Sequence, residues 1–174
     1  MAQERFQERL LALSRTHNLL NETRWMDAPL IRVLSLELAP YQSEGNDRVV
    51  LSGPEVDLDA RSAVVLGMVV HELATNAVKV GALSNAEGKV AVTWSATSEG
   101  DGMKVKIEWR ERGGPAVSTP TRRGFDSRLI EHAVRGELAG EVHQNFAPEG
   151  LTCTINFTVE GAQSGSGALQ TAAE

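Results

Sequence analysis

The run from 59 to 79, DARSAVVLGMVVHELATNAVK, constrains the fold more than any other part of this chain. Up to Val70 it is apolar on nearly every face, which is the pattern of a helix covered by other layers. Polar groups then interrupt that stripe. At about 100° per residue, Glu72, Asn76 and Lys79 fall within about 60° of one another, on the face that Val65, Met68 and Val69 occupy upstream. An unpaired buried polar group costs about 1–3 kcal/mol, so these side chains either form a satisfied structural network or hold a ligand.

The flanking segments predict what covers the helix. Phe6, Leu10, Leu13, His17 and Leu20 recur at helical spacing in an amphipathic N-terminal helix. In MDAPLIRVLSLELAPY, Asp27 is a plausible N-cap with Pro29 in the first turn, and the apolar pattern runs to Leu38 before Pro40 ends it. SEGND is a turn and RVVLSG a short strand, after which Asp59 opens the covered helix. GKVAVTWSAT and MKVKIEWRE alternate, predicting an antiparallel hairpin joined by a moderately long loop at SEGDG. Residues 112–123, rich in Gly, Pro, Ser and Thr, form a loop longer than most. A helix from about Asp126 to Arg135 follows, and then EVHQNF and LTCTINFTV pair across APEG. Two helices, then strand, helix, hairpin, loop, helix and hairpin make an α+β fold, a two-layer α/β sandwich on a mixed sheet. The division expected is 1–24 as a helical appendage, 25–160 as one domain, and 161–174 as a disordered tail without core-forming residues.

Composition narrows the partners. With 174 residues and a formal charge of -6, and no basic run, the chain offers no surface for nucleic acid or for a polybasic membrane contact. No stretch reaches the roughly 18 apolar residues of a membrane span. The single cysteine, Cys153, lies in an alternating run and suits a small core position in a reducing compartment. The expectation is a cytoplasmic protein whose partners are proteins or small molecules.

Three chemistries compete for the polar face of the covered helix. A zinc site of the H-E-x-x-H type fails on Thr75, which stands where the second imidazole is needed. A buried network capping a neighbouring loop is the second reading. The third is a nucleotide site. Magnesium prefers oxygen ligands and takes much of its coordination from water and phosphate, so one side-chain oxygen from Asn76 suffices to tether Mg-ATP. Glu72, one turn earlier, is placed to orient or deprotonate an attacking group. Lys79 fits either a phosphate contact or a solvated cation at the helix end.

The stretch HELATNAVKVGALS resembles the N-box of the HWE subfamily of bacterial sensor histidine kinases. IEWRERGGP resembles the Trp-x-Glu segment of the same subfamily, RRGFDSRLIEHAV its second glycine box, and ALSRTHNLLNETRW the helix and junction ahead of its catalytic domain. The resemblance spans residues 6 to 159. It implies the Bergerat ATP-binding fold shared with gyrase-type ATPases, with His71, Trp109 and Glu111 as the residues behind the subfamily name. It further implies ATP and Mg2+ as ligands and transfer of the γ-phosphoryl to a histidine, for relay to a response regulator. Asn76 would hold the magnesium and Glu111 would read the adenine amino group, with Gly113 and Gly114 allowing a close backbone turn. Gly124, Phe125 and Ser127 would offer the start of a helix to the phosphates, with Arg128 nearby. Residues 112–126 would form a lid. Trp109 fits either the core or the adenine pocket, Glu111 also fits a strand-end ion pair with Arg110 or Arg112, and His71 fits either a phosphate contact or tuning of Glu72.

Two positions depart from the subfamily pattern. Asp126 replaces a glycine, either placing a negative charge near the phosphates or capping the helix, and Val80 replaces a tyrosine after the N-box lysine. The acceptor box of the subfamily is expected ahead of FQERLLALS, so residues 1–24 read as the second half of a dimerisation hairpin and His17 as a seam residue between helices. Its apolar seam predicts packing on this domain or a homodimer. Rival readings are a nucleotide-binding or interaction module without turnover, and an anti-sigma-type serine kinase on the same fold; the Trp-x-Glu segment and the N-terminal helix argue against the latter.

Overall fold

The computed structural model describes residues 28–42, 47–117 and 125–160. The N-terminal amphipathic helix with His17, the Asp27 cap, most of the SEGND turn, the middle of the 112–126 loop with Gly124, and the tail from 161 lie outside the described residues.

In chain order the elements are β1 (Ala28–Pro29), α1 (Leu30–Leu38), β2 (Val49–Ser52), β3 (Asp57–Leu58), α2 (Ala60–Lys79), β4 (Lys89–Glu99), β5 (Gly102–Arg112), α3 (Phe125–His132), β6 (Glu141–Ala147) and β7 (Gly150–Glu160). The main sheet has the order β2-β4-β5-β7-β6. β2 runs parallel to β4, and the other neighbours are antiparallel. The expected mixed sheet is therefore present. β1 and β3 form a separate two-stranded pair.

Strand alternation decides which sheet face is dry. Val90, Val92 and Trp94 of β4, Val105, Ile107 and Trp109 of β5, and Cys153, Ile155, Phe157 and Val159 of β7 are buried, while Thr93, Lys104, Lys106 and Arg110 are exposed. One face thus meets the helices and the other meets water. Over the dry face, α1 sits toward the β2 edge and α3 toward the β6 edge, with α2 between them. That position explains why α2 is apolar all round: Leu66, Val69, Val70, Leu73, Ala74 and Ala77 are all buried. Asp59 starts this helix as expected, accepting from the Ser62 backbone N–H at 2.9 Å and from the Ser62 hydroxyl at 2.7 Å, a cap of the usual kind.

Three local expectations are corrected. The β4–β5 hairpin closes through only Gly100 and Asp101, because Ser98 and Glu99 extend the strand; the positive φ of Gly100, 60°, suits the first central position of a tight primed turn. α1 begins at Leu30 with no side-chain cap, because Ala28 and Pro29 pair with Leu58 and Asp57 instead. After His132 the third helix widens into a π-helical turn, Ala133–Glu137.

Candidate functional site at the end of the covered helix

The last two turns of α2 carry the polar groups singled out by the periodicity. Glu72 is buried, Asn76 is half-buried and Lys79 is exposed. This gradient follows the helix out of the core to its end. The Asn76 side chain has no hydrogen-bond partner among the described residues, so its amide oxygen is available to a ligand. Its backbone carbonyl accepts from the N–H groups of Val80 and Gly81, at 3.0 and 3.1 Å, and this turns the chain back toward the sheet.

That turn delivers the segment 81–88 onto the end of β5. The Ala82 N–H donates to Glu111 Oε2 at 2.8 Å, and the Trp109 indole N–H donates to Glu111 Oε1 at 3.0 Å. Both partners are buried with it: Glu111 is 2% exposed and Trp109 1%. Of the two readings open for Trp109, the core position is the one observed, and Glu111 is not the strand-end ion pair of the alternative. A carboxylate has about four acceptor positions, so two remain after these bonds.

Glycines make the approach possible. A Cβ on Gly81 would overlap Glu111 Oε2 and lie 2.8 Å from Ala77 Cα, while one on Gly114 would lie 2.5 Å from Ala82 Cα. Gly113 holds φ at 73°, a conformation costly to other residues. The glycines of the GGP segment therefore serve first to bring two stretches of backbone together.

Two contributors went unread in the sequence. Arg48, just ahead of β2, donates from Nε to the Gly88 carbonyl at 3.0 Å and from Nη2 to the carbonyls of Ala82, at 3.5 Å, and Asn85. Asn85 in turn donates to the Gly113 carbonyl at 3.2 Å and accepts from Gly88 N–H at 2.8 Å. No local pattern marks an arginine that binds distant carbonyls. The second is Glu37, which is 1% exposed on α1, with Oε2 3.3 Å from His71 Nδ1. Here a signal existed: Leu30, Val33, Leu34, Glu37 and Leu38 share the buried stripe of α1, so a carboxylate interrupts a core face as Glu72 does on α2. Among the described residues, the hydrogen-bonded contact of His71 is to Glu37, across to α1.

The second glycine-box residues are less closely gathered. Asp126 lies within α3 and not ahead of it in the cap position. Ser127 Oγ lies 3.4 Å from Gln144 Oε1 on β6. Arg128 is exposed and lines a shallow depression with Glu131, His132, Arg135 and Gly136.

The donor set can be tested against the groups expected to bind. Among the described residues no cluster of three or more His, Cys, Asp or Glu could hold a metal ion. A magnesium tethered through one amide oxygen and completed by phosphate and water needs no such cluster and fits Asn76. A buried carboxylate beside backbone held open by glycine fits recognition of an exocyclic amino group.

The sequence model described as HWE histidine kinase matches residues 1–55. The chain is 42% identical over 154 residues to a blue-light-activated histidine kinase of Brucella anthropi, covering 88% of this chain and 31% of that protein. It is 39% identical over 150 residues to one of Brucella ovis, covering 86% and 31%. The chain thus spans about a third of the length of these relatives. Among solved structures it resembles the histidine kinase domain of an Erythrobacter litoralis blue-light activated histidine kinase, with a TM-score of 0.64 at 18% identity over 87% of this chain and 73% of the other. It also resembles the catalytic domain of the histidine kinase ThkA, with a TM-score of 0.54 at 12% identity over 78% and 95%. The fold is that of histidine kinase catalytic domains. Among the described residues no helix is long and apolar enough to cross a membrane.

Proposed function

From a chain homologous to the catalytic domains of histidine kinases and matched in its first 55 residues by the HWE family, we propose the following site. The domain binds Mg-ATP at the C-terminal end of α2 and transfers the γ-phosphoryl to a histidine on a helical hairpin, for relay to a response regulator. The observation that carries this reading is the Ala82 N–H bond to Glu111 Oε2. It joins the end of the helix bearing Asn76 to the strand end bearing Glu111 across 29 residues of chain.

In this proposal Asn76 supplies the protein oxygen to magnesium, which when bound neutralises phosphate charge. Glu111 accepts from the adenine amino group through its remaining acceptor positions. Lys79, exposed in the last turn, meets phosphate. Gly113 and Gly114 form the floor with Ala82, and Trp109 supports that floor from the core. Gly124, Phe125 and Ser127 present the start of α3 to the phosphates, and residues 112–126 close over the nucleotide. Glu72 orients the acceptor imidazole, with His71 beside it in sequence. Phosphoryl transfer asks little covalent chemistry of the protein, so catalysis here is positioning and charge neutralisation. Residues 1–24 are proposed to pair with a second copy, and the site of action is the cytoplasm.

Titration calorimetry with Mg-ATP tests the nucleotide site. Wild type is expected to bind and Asn76→Ala to lose most of the magnesium-dependent affinity; equal binding by both would overturn the assignment. Turnover is read separately, with labelled ATP and an acceptor hairpin supplied in trans. The expected product is acid-labile label on histidine.

A further inference from the structure

We propose that Glu37 is a positioning residue: it fixes the tautomer and ring plane of His71, and through that ring it seats the Glu72-bearing turn of α2 against α1. What the ring serves rests on the nucleotide-site reading above, whereas the hold of Glu37 on the ring does not.

Glu37 is a carboxylate at 1% exposure whose Oε2 is 3.3 Å from His71 Nδ1, and whose Oε1 has no hydrogen-bond partner among the described residues. The His71 side chain is 13% exposed, and among the described residues its Nε2 has no hydrogen-bond partner. In the proposed arrangement the carboxylate accepts, and the bond runs from Nδ1–H to Oε2. A neutral imidazole holding its proton on Nδ1 then keeps a lone pair at Nε2, and the hydrogen bond at the first nitrogen sets the role of the second.

Stability alone does not account for this arrangement. A buried hydrogen-bonded pair whose second carboxylate oxygen is unpartnered among the described residues is weak evidence for stabilisation, because apolar residues in place of both partners often serve the fold as well or better. Leucine at 37 would continue the stripe of Leu30, Val33, Leu34 and Leu38. What leucine cannot do is direct the ring. Glu37 also sits in the last turn of α1, the helix that carries the chain from residues 1–27 toward the sheet, while His71 precedes Glu72 on α2. Withdrawing α1 would leave the carboxylate without its donor, so the pair ties the placement of α1 to the turn that begins the candidate site.

The test uses the 174-residue chain with Glu37→Leu and Glu37→Gln, and His71→Gln to assign the ring among the four histidines. Imidazole 15N spectra of wild type without nucleotide are expected to show His71 protonated on Nδ1. Glu37→Leu should lose that tautomer preference and keep Mg-ATP affinity. Its transfer to a hairpin in trans should slow by about 10- to 100-fold, the usual cost of losing an orienting partner. Glu37→Gln still offers a carbonyl acceptor to Nδ1–H and should keep the tautomer and most of the rate. An Nε2–H ring in wild type, a ring unaffected by Glu37→Leu, or an unchanged transfer rate would each overturn the proposal. A wild type that shows the Nδ1–H ring yet binds no Mg-ATP would instead overturn the nucleotide reading and support the hold of Glu37 on His71.

Discussion

Glu111 accepts from the Trp109 indole N–H at 3.0 Å on one oxygen and from the Ala82 N–H at 2.8 Å on the other. A side chain two residues back on the same strand and a backbone group 29 residues away thus fix one buried carboxylate. Neither donor has water to turn to, so removing Glu111 strands both donors, and removing one donor strands one carboxylate oxygen.

Trp109→Phe keeps a ring in the core but removes the donor, and should cost about 1–3 kcal/mol for the stranded carboxylate oxygen, with the smaller ring adding to it. Urea unfolding measures this. In the double variant Trp109→Phe with Glu111→Leu, the loss should be smaller than the sum of the single losses. Strict additivity would show that the two side chains do not act as a unit.

Gly81→Ala tests the approach of the α2 end to the sheet. The new Cβ would meet Glu111 Oε2 and lie 2.8 Å from Ala77 Cα, neither of which is the free end of a flexible chain. Overpacking of this kind costs about 1–3 kcal/mol. Calorimetry should also show weaker Mg-ATP binding, because relief of the clash requires Ala82 to move from Glu111.

Arg48→Met should loosen 82–88 without unfolding the sheet. The methionine replaces the aliphatic stem but leaves the carbonyls of Ala82, Asn85 and Gly88 without their cationic donor. Bonds to a charged group are worth about 1.5–3 kcal/mol. Hydrogen exchange should rise in 82–88 more than in the β5–β7 pair, and a uniform rise across both would contradict a local clamp.

Burial pushes the Cys153 thiol up from 9.0 to about 12. Above pH 9 the unfolded chain releases this proton while the folded chain keeps it. The unfolded state then binds fewer protons, and stability falls as pH rises, by up to about 1.4 kcal/mol per unit from this group, until the folded thiol itself ionises. Below pH 9 the group contributes no slope. Urea melts from about pH 8 to about pH 10 should therefore fall more steeply for wild type than for Cys153→Ala, and thiol reagents at pH 8 should label the chain only after unfolding.

The local grammar of this chain was readable where one element decides its own form. Asp59 with Ser62 makes a cap within one turn, and the alternation in 89–112 specifies a hairpin whatever lies above it. The loop at 98–102 was misjudged because polar residues at an exposed strand end look like loop; backbone pairing to Met103 and Gly102 holds Ser98 and Glu99 in the ladder. Ala28 and Pro29 were misjudged for a related reason: Pro29 suits a first helical turn, but pairing with Asp57 claimed it.

The site divides the same way. Periodicity alone determined that Glu72, Asn76 and Lys79 share one face of a covered helix, since those offsets follow from 3.6 residues per turn. It could not assign partners. Glu111 to Ala82 spans 29 residues and His71 to Glu37 spans 34, and such distances are closed by the placement of α1 and α2 on the sheet. The sequence by itself therefore determined which residues are polar where the core requires apolar ones. Only the tertiary structure decided that Glu111 binds the Ala82 N–H and that His71 turns to α1, because a buried carboxylate binds whichever donors the packing of distant segments brings to it.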